Sequence, residues 1–369
     1  MATITKDKRL RPIANQESRS YLFAWALFVW ACLCRAFQTP KRMTKSHPNN
    51  LPGAAADWRN ESAFAVDIPG GAAQLLSLGR RERRNPRTPM RLLTPADESL
   101  VDAFLASHRD SSMFLRANAR RAGLAYRGAA GEATYAGVLR DGRIVGVAAH
   151  CWNGMVLLQA PDHAADLARA CVGLSGRAVT GLSGPLEQVH QARSALQLDA
   201  ADLALDGAEG LYALDLSELI VPDALSRGTV VCRPPCAEER DMLCAWRIAY
   251  DIEILGGTDT EEHRQKSAHF LDAQIAERNA WVAISDRVLV SLAAFNASLP
   301  DIVQLGGIYT PPEFRGRGFA KVAVAASLLV ARDRGASRAV LFTNSPSAVR
   351  TYTAIGFRRI GDYSLLLLR

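Results

Sequence analysis

The stretch from Val303 to Ala320, VQLGGIYTPPEFRGRGFA, decides the fold of this chain. Its first eight residues, through Thr310, predict a buried strand, because apolar and small residues follow one another almost without interruption. A turn with two prolines then leads into Arg-Gly-Arg-Gly, and a helix is predicted from there to about Arg332. A strand, a glycine-rich loop and a helix in this order are typical of a site that holds an anion on backbone N–H groups.

The glycine-rich loop has the composition of a phosphate site. Gly316 and Gly318 have no Cβ, so a ligand can approach their backbone closely, and the N-terminal end of the next helix carries partial positive charge. Arg315 and Arg317 add two full charges. The loop lacks the Gly-Lys-Ser/Thr of a P-loop, does not match the dinucleotide fingerprint GxGxxG, and no acidic residue ends the next strand. These residues predict a diphosphate that is bound without a metal ion.

A second informative segment follows this helix. Residues Ala339–Thr343 predict a strand, and Asn344-Ser-Pro starts another helix, with the serine as its cap and the proline at its first position. That helix contains Ala348 and Tyr352 and ends at Gly356-Phe357, before the strands that close the chain. The chain therefore alternates strands and helices around the glycine-rich loop.

Together the two segments resemble the GNAT acetyltransferases. Arg315-x-x-Gly318-x-Ala320 matches the Gln/Arg-x-x-Gly-x-Gly/Ala signature of that family, and Asn344…Ala348-x3-Tyr352-x3-Gly-Phe matches its second motif. Order and spacing agree over roughly residues 229–369. The resemblance implies an α/β fold with a mixed sheet and direct transfer of an acetyl group from acetyl-CoA to an amine.

The resemblance also assigns roles to individual residues. It implies that Tyr352 protonates the leaving thiolate, which suits a phenol that stays protonated at neutral pH. It implies that pantetheine runs beside the end of the strand and that the pyrophosphate lies on the amides of the loop. The implied cofactor-binding residues are Ile308, Tyr309, Thr310, Arg315, Gly316, Arg317, Gly318, Phe319, Ala320 and Asn344.

One position departs from the family pattern. Histone-type members use a Glu on the central strand as base, and the nearest matching position here is Gln304, whose amide cannot take the proton. Either a water chain deprotonates the amine or another acid does, and the candidates are Asp251 and Glu253. They belong to the acidic segment Tyr250–Glu262, which we interpret either as a wall that attracts a cationic acceptor or as a solvated helix end.

The part of the chain before residue 229 repeats the same opening without the phosphate equipment. Strand Arg91–Leu93 followed by Thr-Pro is echoed by strand Thr229–Arg233 followed by Pro-Pro. This predicts two tandem GNAT-like domains, a degenerate one at 90–225 and a catalytic one at 229–369. After the comparable strand of the first half the chain reads Gln159-Ala-Pro-Asp162, which has no glycine and places a carboxylate where phosphate would bind.

The first 89 residues differ from the rest in charge. They hold 15 Lys/Arg and 6 Asp/Glu, a net +9, whereas the remainder holds 29 and 31, a net −2. The basic character therefore belongs to this stretch, and nucleic-acid binding by the folded part loses its compositional support. An apolar run of 14 residues from Tyr21 to Cys34 is too short to span a bilayer. An unstructured extension, a targeting segment, and a true translation start at Met90 stay open.

The sequence thus predicts a cytoplasmic N-acetyltransferase that uses acetyl-CoA as co-substrate and no metal. Its expected partner is a small-molecule or peptide amine, with no nucleic acid, no membrane, and a monomeric or homodimeric state. The alternative is a regulatory module that binds acetyl-CoA without turnover. The seven cysteines are scattered and form no zinc-binding spacing.

Overall fold

A computed structural model describes residues 90–253 and 258–369. The three interpretations of residues 1–89 therefore lie outside the described residues. Among the residues described, no helix is long and apolar enough to cross a bilayer.

The first half of the described chain has ten elements and opens with a short strand. Thr94 and Pro95 start a 3-10 turn before the first helix, as their order in the sequence predicts. The elements are β1 (Met90–Leu92), α1 (Glu98–Ser107), α2 (Met113–Ala122), β2 (Ala133–Arg140), β3 (Arg143–Cys151), β4 (Met155–Gln159), α3 (Ala164–Ser175), β5 (Gly181–Pro185), α4 (Leu186–Ala195) and β6 (Leu203–Asp215).

The second half repeats this order element for element. One short helix, α5 (Asp223–Ser226), joins the halves. The elements that follow are β7 (Val231–Arg233), α6 (Arg240–Glu253), α7 (Glu261–Ala276), β8 (Ala280–Ser285), β9 (Val288–Ser298), β10 (Ile302–Tyr309), α8 (Phe319–Asp333), β11 (Arg338–Thr343), α9 (Pro346–Thr353) and β12 (Arg358–Leu368).

The two halves share one mixed sheet of twelve strands. The strand order is β1-β2-β3-β4-β5-β12-β6-β11-β10-β9-β8-β7. The last strand of each half is exchanged: β6 pairs with β11 of the second half, β12 pairs with β5 of the first, and β6 and β12 pair with each other. Each half therefore depends on the other to complete its sheet.

Apolar side chains cover both faces of the second half's part of the sheet. Leu328 and Val324 of α8 pack on one face, together with Tyr352 of α9 and Leu341 of β11. On the opposite face, Phe270 of α7 belongs to a second core, which also holds α2 and the next residue of β11, Phe342. Successive residues of a strand point to opposite faces, so β11 contributes to both cores.

The predicted fold class, a mixed α/β sheet with two tandem GNAT-like halves, is confirmed by this repeated element order. The residue boundaries at 90–225 and 229–369 stay a prediction. The sheet does not follow them, because the strand at 203–215 lies between β11 and β12 of the other half.

Candidate active site

The site begins where two neighbouring strands separate. Strands β10 and β11 run parallel and pair only over Ile302–Gln304 and Arg338–Val340. Beyond that point β10 also shifts register against β9, between Gly306 and Tyr309. Gly307 lies within this irregular segment at φ +69, a left-handed conformation that glycine adopts without steric cost. The strands therefore diverge, and their separated ends open a gap in the sheet.

A cavity of about 560 Å³ occupies this gap. Ile308 to Thr310 from β10 line one side, and residues from β11 and α9, including Tyr352, line the other. The glycine-rich loop and the first turn of α8 close one end of the cavity. Of the twelve site residues that the sequence predicts, ten line this cavity, and Arg317 and Asn344 do not.

The glycine-rich loop presents unused backbone donors at the cavity. Gly316 and Gly318 have φ values of +75 and +82, and Gly318 caps the N-terminus of α8. Among the described residues, the amides from Gly316 to Ala320 have no protein acceptor. The first amides of a helix lack partners within the helix, so this end of α8 is suited to an anion.

Arg315 and Glu253 form a two-point ion pair at the edge of this loop. The two terminal nitrogens of Arg315 donate to the two carboxylate oxygens of Glu253 at 2.6 and 2.7 Å, and its Nε donates to the Thr310 carbonyl at 2.9 Å. Arg315 therefore ties the loop to the end of β10 and to α6. The roles predicted for Glu253 as base and for Arg315 as cofactor ligand stay predictions, and this pair occupies both groups.

Tyr352 lies deep in the wall of the cavity. Its ring is 8% exposed and packs edge-on against Phe357, with centroids 5.9 Å apart. Burial raises the pKa of its hydroxyl above the ordinary value of 10, and the neighbouring hydroxyl of Tyr250 raises the pKa further. Tyr352 is therefore protonated throughout the neutral range, as a proton donor must be.

The other candidate base, Asp251, is buried in a structural network. It is 3% exposed, and its carboxylate meets the guanidinium of Arg247 at 2.8 Å and accepts from the Ser267 hydroxyl at 2.5 Å. These contacts join α6 to α7. A carboxylate held in this way stabilises the helix pair, and Asp251 is not among the residues that line the cavity, so its role as base stays a prediction.

Gln304 occupies the point at which β10 and β11 separate. Its side chain is 1% exposed, and its Oε1 has no hydrogen-bond donor among the described residues. An unpaired buried amide oxygen is costly, and Gln304 precedes the first residue of β10 that lines the cavity, Leu305.

The side chain of Asn344 forms hydrogen bonds with the exchanged strand β6. Its Oδ1 accepts from the amide of Gly210 at 3.0 Å, and its Nδ2 donates to the carbonyl of Ala208. Both partners belong to β6 of the first half. The predicted role of Asn344 in cofactor binding stays a prediction, and the side chain is engaged in holding β6 at the end of β11.

Two residues at the gap were missed in the sequence. Tyr250 of α6 lines the cavity; burial, together with nearby charges that act in both directions, raises the pKa of its hydroxyl to about 12. Glu209 of β6 is 6% exposed, and burial raises the pKa of its carboxyl to about 7. The sequence signal for Glu209 is weak, because it is one of three acidic residues in a mostly apolar strand, and it becomes informative once the position of β6 is known.

Comparisons with known proteins agree with this geometry. The acetyltransferase (GNAT) family model matches residues 246–357, the segment that runs from α6 to the end of α9. The search of curated proteins returned no match.

Among solved structures, a Drosophila protein aligns at 15% identity with a TM-score of 0.51, covering 76% of this chain and 98% of its own. This likeness extends over both halves and shows the fold. A GCN5-related N-acetyltransferase from Sphaerobacter thermophilus aligns at 14% identity with a TM-score of 0.49, covering 76% of this chain and 95% of its own. The segment at residues 246–357 therefore matches the acetyltransferase (GNAT) family, and the fold of the described chain is similar to that of GNAT structures.

Proposed function

We propose that this protein is an N-acetyltransferase that moves an acetyl group from acetyl-CoA to a primary amine. The observation that carries the proposal is the gap between β10 and β11, which ends at the unused amides of the glycine-rich loop. A long thin thiol ester with a diphosphate fits a slot of this kind. Acetyl-CoA would supply the activated acyl group, and the protein supplies position and proton transfer.

The residues present suit the cofactor at both ends. The amides from Gly316 to Ala320 and the positive end of α8 suit a pyrophosphate. Gly316 leaves its surface open, because a Cβ added there would meet nothing within 4 Å. The irregular end of β10 leaves backbone groups unpaired toward β11, where the amides of pantetheine can bond. Metal ions have no assigned part in this proposal.

Tyr352 is the proposed proton donor of the reaction. As the nitrogen attacks the thioester carbonyl, a C–N bond forms, the C–S bond breaks, and Tyr352 gives its proton to the sulfur. Its raised pKa keeps that proton in place until sulfur becomes basic enough to take it. We propose that Glu253 positions Arg315 and does not act as the base.

The proposed acceptor is the amine of a small molecule or peptide, and the protein would act as a monomer or homodimer in the cytoplasm. The acidic segment from Tyr250 to Glu262 supports a cationic acceptor only in part. Asp251 and Asp259 are paired with arginines, and Glu262 is paired with a lysine.

The test uses the full chain in two measurements. Calorimetry should show that acetyl-CoA binds to one site per chain, and release of free thiol should accelerate when a primary amine is added. Binding without amine-dependent thiol release would instead favour a module that senses acetyl-CoA. No binding at all would overturn the proposed function.

A further inference from the structure

Glu209 is a buried carboxylate of the first half that lies next to the cavity without being one of its lining residues. It precedes Gly210, which pairs with Thr343 at the very end of β11. The side chain of Asn344 bonds the backbone at Ala208 and Gly210, on both sides of Glu209. These contacts fix Glu209 beside the mouth of the gap.

The face to which Glu209 points follows from the alternation of side chains along β6. Leu211 and Ala213 share its face and pack in the core that contains Phe270 of α7. Tyr212 lies on the opposite face, in the core that contains Tyr352. Glu209 and Tyr352 therefore approach the gap from opposite sides of the sheet.

Tyr250 connects the two sides electrostatically. Its hydroxyl interacts with the carboxyl of Glu209 and with the backbone of Gly307 in the diverging segment of β10. It also interacts with the hydroxyl of Tyr352. Tyr250 is therefore close enough to interact electrostatically with both Glu209 and Tyr352, the acid of the proposed reaction.

Glu209 has no stabilising partner to explain its burial. Among the described residues it forms no hydrogen bond and no ion pair, although it is 6% exposed. The groups that face it are Tyr250 from α6 and Tyr363, which lies directly opposite on β12. The guanidinium of Arg247 lies 5.1 Å from the ring centroid of Tyr250 and is ion-paired with Asp251, which also accepts from Ser267. Burial alone accounts for the raised pKa of Glu209.

The equivalent position in the other exchanged strand is occupied differently. Glu209 of β6 corresponds to Asp362 of β12. Glu209 precedes Gly210, which pairs with the last residue of β11, and Asp362 precedes Tyr363, which pairs with the last residue of β5. Asp362 is ion-paired with Arg359 and is partly exposed. A buried, unpaired carboxylate costs stability, and of these two equivalent positions Glu209, whose neighbour Gly210 pairs with the cavity residue Thr343, carries that cost.

We propose that Glu209 binds the ammonium group of the acceptor and takes its proton, so that the first half supplies the base of a reaction whose other groups belong to the second half. This inference rests on the proposed acetyl transfer. The ammonium gives one proton to Glu209, and the freed lone pair attacks the acyl carbon. Tyr352 then protonates the sulfur, the second nitrogen proton restores Tyr352, and Glu209 releases its proton to water.

The titration of Glu209 sets a pH dependence for this step. The carboxylate form must be present to accept a proton, so kcat/KM for the amine should fall as the pH drops through about 7. In a Glu209→Gln enzyme the limb near pH 7 should be replaced by a rise that continues to higher pH, because only acceptor that has already lost its proton to solvent can then attack.

The test compares full-length Glu209→Gln with full-length Asp206→Asn. Asp206 lies on the same strand, is half exposed and is paired with Arg193, so its variant controls for changes to β6. We expect both variants to bind acetyl-CoA as the wild type does. We expect Glu209→Gln to lose about 10²–10³-fold in kcat/KM with n-hexylamine, spermidine or a lysine-containing peptide, and Asp206→Asn to lose less than about twofold, as is usual for surface positions.

The outcomes separate the two proposals. Unchanged acetyl-CoA binding with unchanged amine turnover in Glu209→Gln overturns the role of Glu209 and leaves the proposed function standing. A wild-type protein that does not bind acetyl-CoA, or that acetylates none of the three amines, overturns both. If Glu209→Gln does not fold, Glu209→Ala with added formate is used, and failure of formate to restore turnover overturns the role of Glu209.

Discussion

The molecule has two β-α-β units, β4-α3-β5 and β10-α8-β11. They have the same order of elements but differ in whether a gap opens between their strands. In both units the parallel strands pair over three residues. Beyond that point the strands of the first unit remain close, since an added Cβ at Gly184 would lie 2.8 Å from the carbonyl oxygen of Leu158. In the second unit pairing stops at Gln304 and Val340, and a cavity opens. A tandem repeat of one fold therefore yields one unit that can admit a ligand and one that is filled by its own backbone.

The loops that follow β4 and β10 differ in whether their backbone amides have acceptors within the protein. In the first unit the amide of Ala160 donates to the Oε1 of Gln188 on α4 at 2.7 Å, so the protein satisfies its own donor there. In the second unit the amides from Gly316 to Ala320 are left for a ligand. The comparison teaches that separated strands and unused amides, and not the order of the elements, make the site.

The largest expected effect is that of Tyr352→Phe. Tyr352 is the seventh residue of α9, whereas the seventh residue of α4 is the buried Ala192, so only the second unit has a hydroxyl at this place. Removing it should lower kcat by about 10²–10⁴-fold with little change in KM for acetyl-CoA, because the hydroxyl acts in the transition state.

The pH profile of the wild type gives an independent check on Tyr352. A donor with a raised pKa is lost only when the pH rises through that raised value, so Tyr352 should cause no loss of kcat below pH 10. Stopped-flow or steady-state thiol release measures both quantities. A Tyr352→Phe enzyme that keeps more than about half of its kcat would reduce this tyrosine to a packing residue.

The second effect concerns the glycines that distinguish the two loops. Gly318→Val should weaken acetyl-CoA binding by about 100-fold or more, because a branched side chain covers the amides and two or three charge-assisted hydrogen bonds are lost. Gly142→Val is the matched control, since Gly142 lies at φ +74 in the β2–β3 turn. Both variants should lose similar thermal stability, and calorimetry should show weaker binding only for Gly318→Val.

The same titration counts the sites. One acetyl-CoA per chain is expected, because the first unit is closed at Gly184, and Asp162→Ala should leave that number unchanged. Two equivalents bound, or an unchanged affinity in folded Gly318→Val, would contradict the difference between the units.

The sequence predicts those parts of the site whose residues are close together along the chain. The glycine-rich loop, α8 and Tyr352 follow from local spacing, and the structure places them together. The pairing of β6 with β11 could not be predicted, because no sequence pattern within Leu203–Asp215 indicates which distant strand it pairs with. Glu209 was missed for that reason. The ion pair of Arg315 with Glu253 joins positions 62 residues apart, and no pattern in either segment indicates it.

A smaller effect is expected for Glu253→Gln. Both members of the pair are about 40% exposed, and exposed ion pairs contribute at most about 1 kcal/mol. We therefore expect the Kd for acetyl-CoA to change by less than about fivefold and the acidic limb of kcat/KM to persist. Glu313→Gln, on the neighbouring turn, is the control. Loss of the acidic limb in Glu253→Gln alone would restore Glu253 as the base.

The smallest effects test what the two halves have in common, the turn that follows the first strand of each. Arg91 pairs with Asp97 and Arg233 pairs with Glu239, both six residues apart. The acid also accepts from the backbone amide of the capping residue, Thr94 or Cys236, at 2.9 Å in both halves. Since the arginines are partly exposed, the cap is the main contribution. Asp97→Asn and Glu239→Gln should each cost about 1 kcal/mol of unfolding free energy.

The acids also set the sign of a pH effect on stability. The hydrogen bond from Arg233 holds the pKa of Glu239 at about 2, below its ordinary 4.5, and Arg91 lowers the pKa of Asp97 in the same way. A lowered pKa in the folded state gives stability that is complete above about pH 4.5 for Glu239 and is lost as the pH falls toward 2.

Because β6 and β12 are exchanged, the halves should unfold together. Calorimetric melts of Asp97→Asn and Glu239→Gln should therefore shift a single transition by a similar few degrees at pH 7 and by less at pH 3. Two separate transitions, or a shift caused by only one of the variants, would show that the halves fold as independent domains and that the exchange does not couple them.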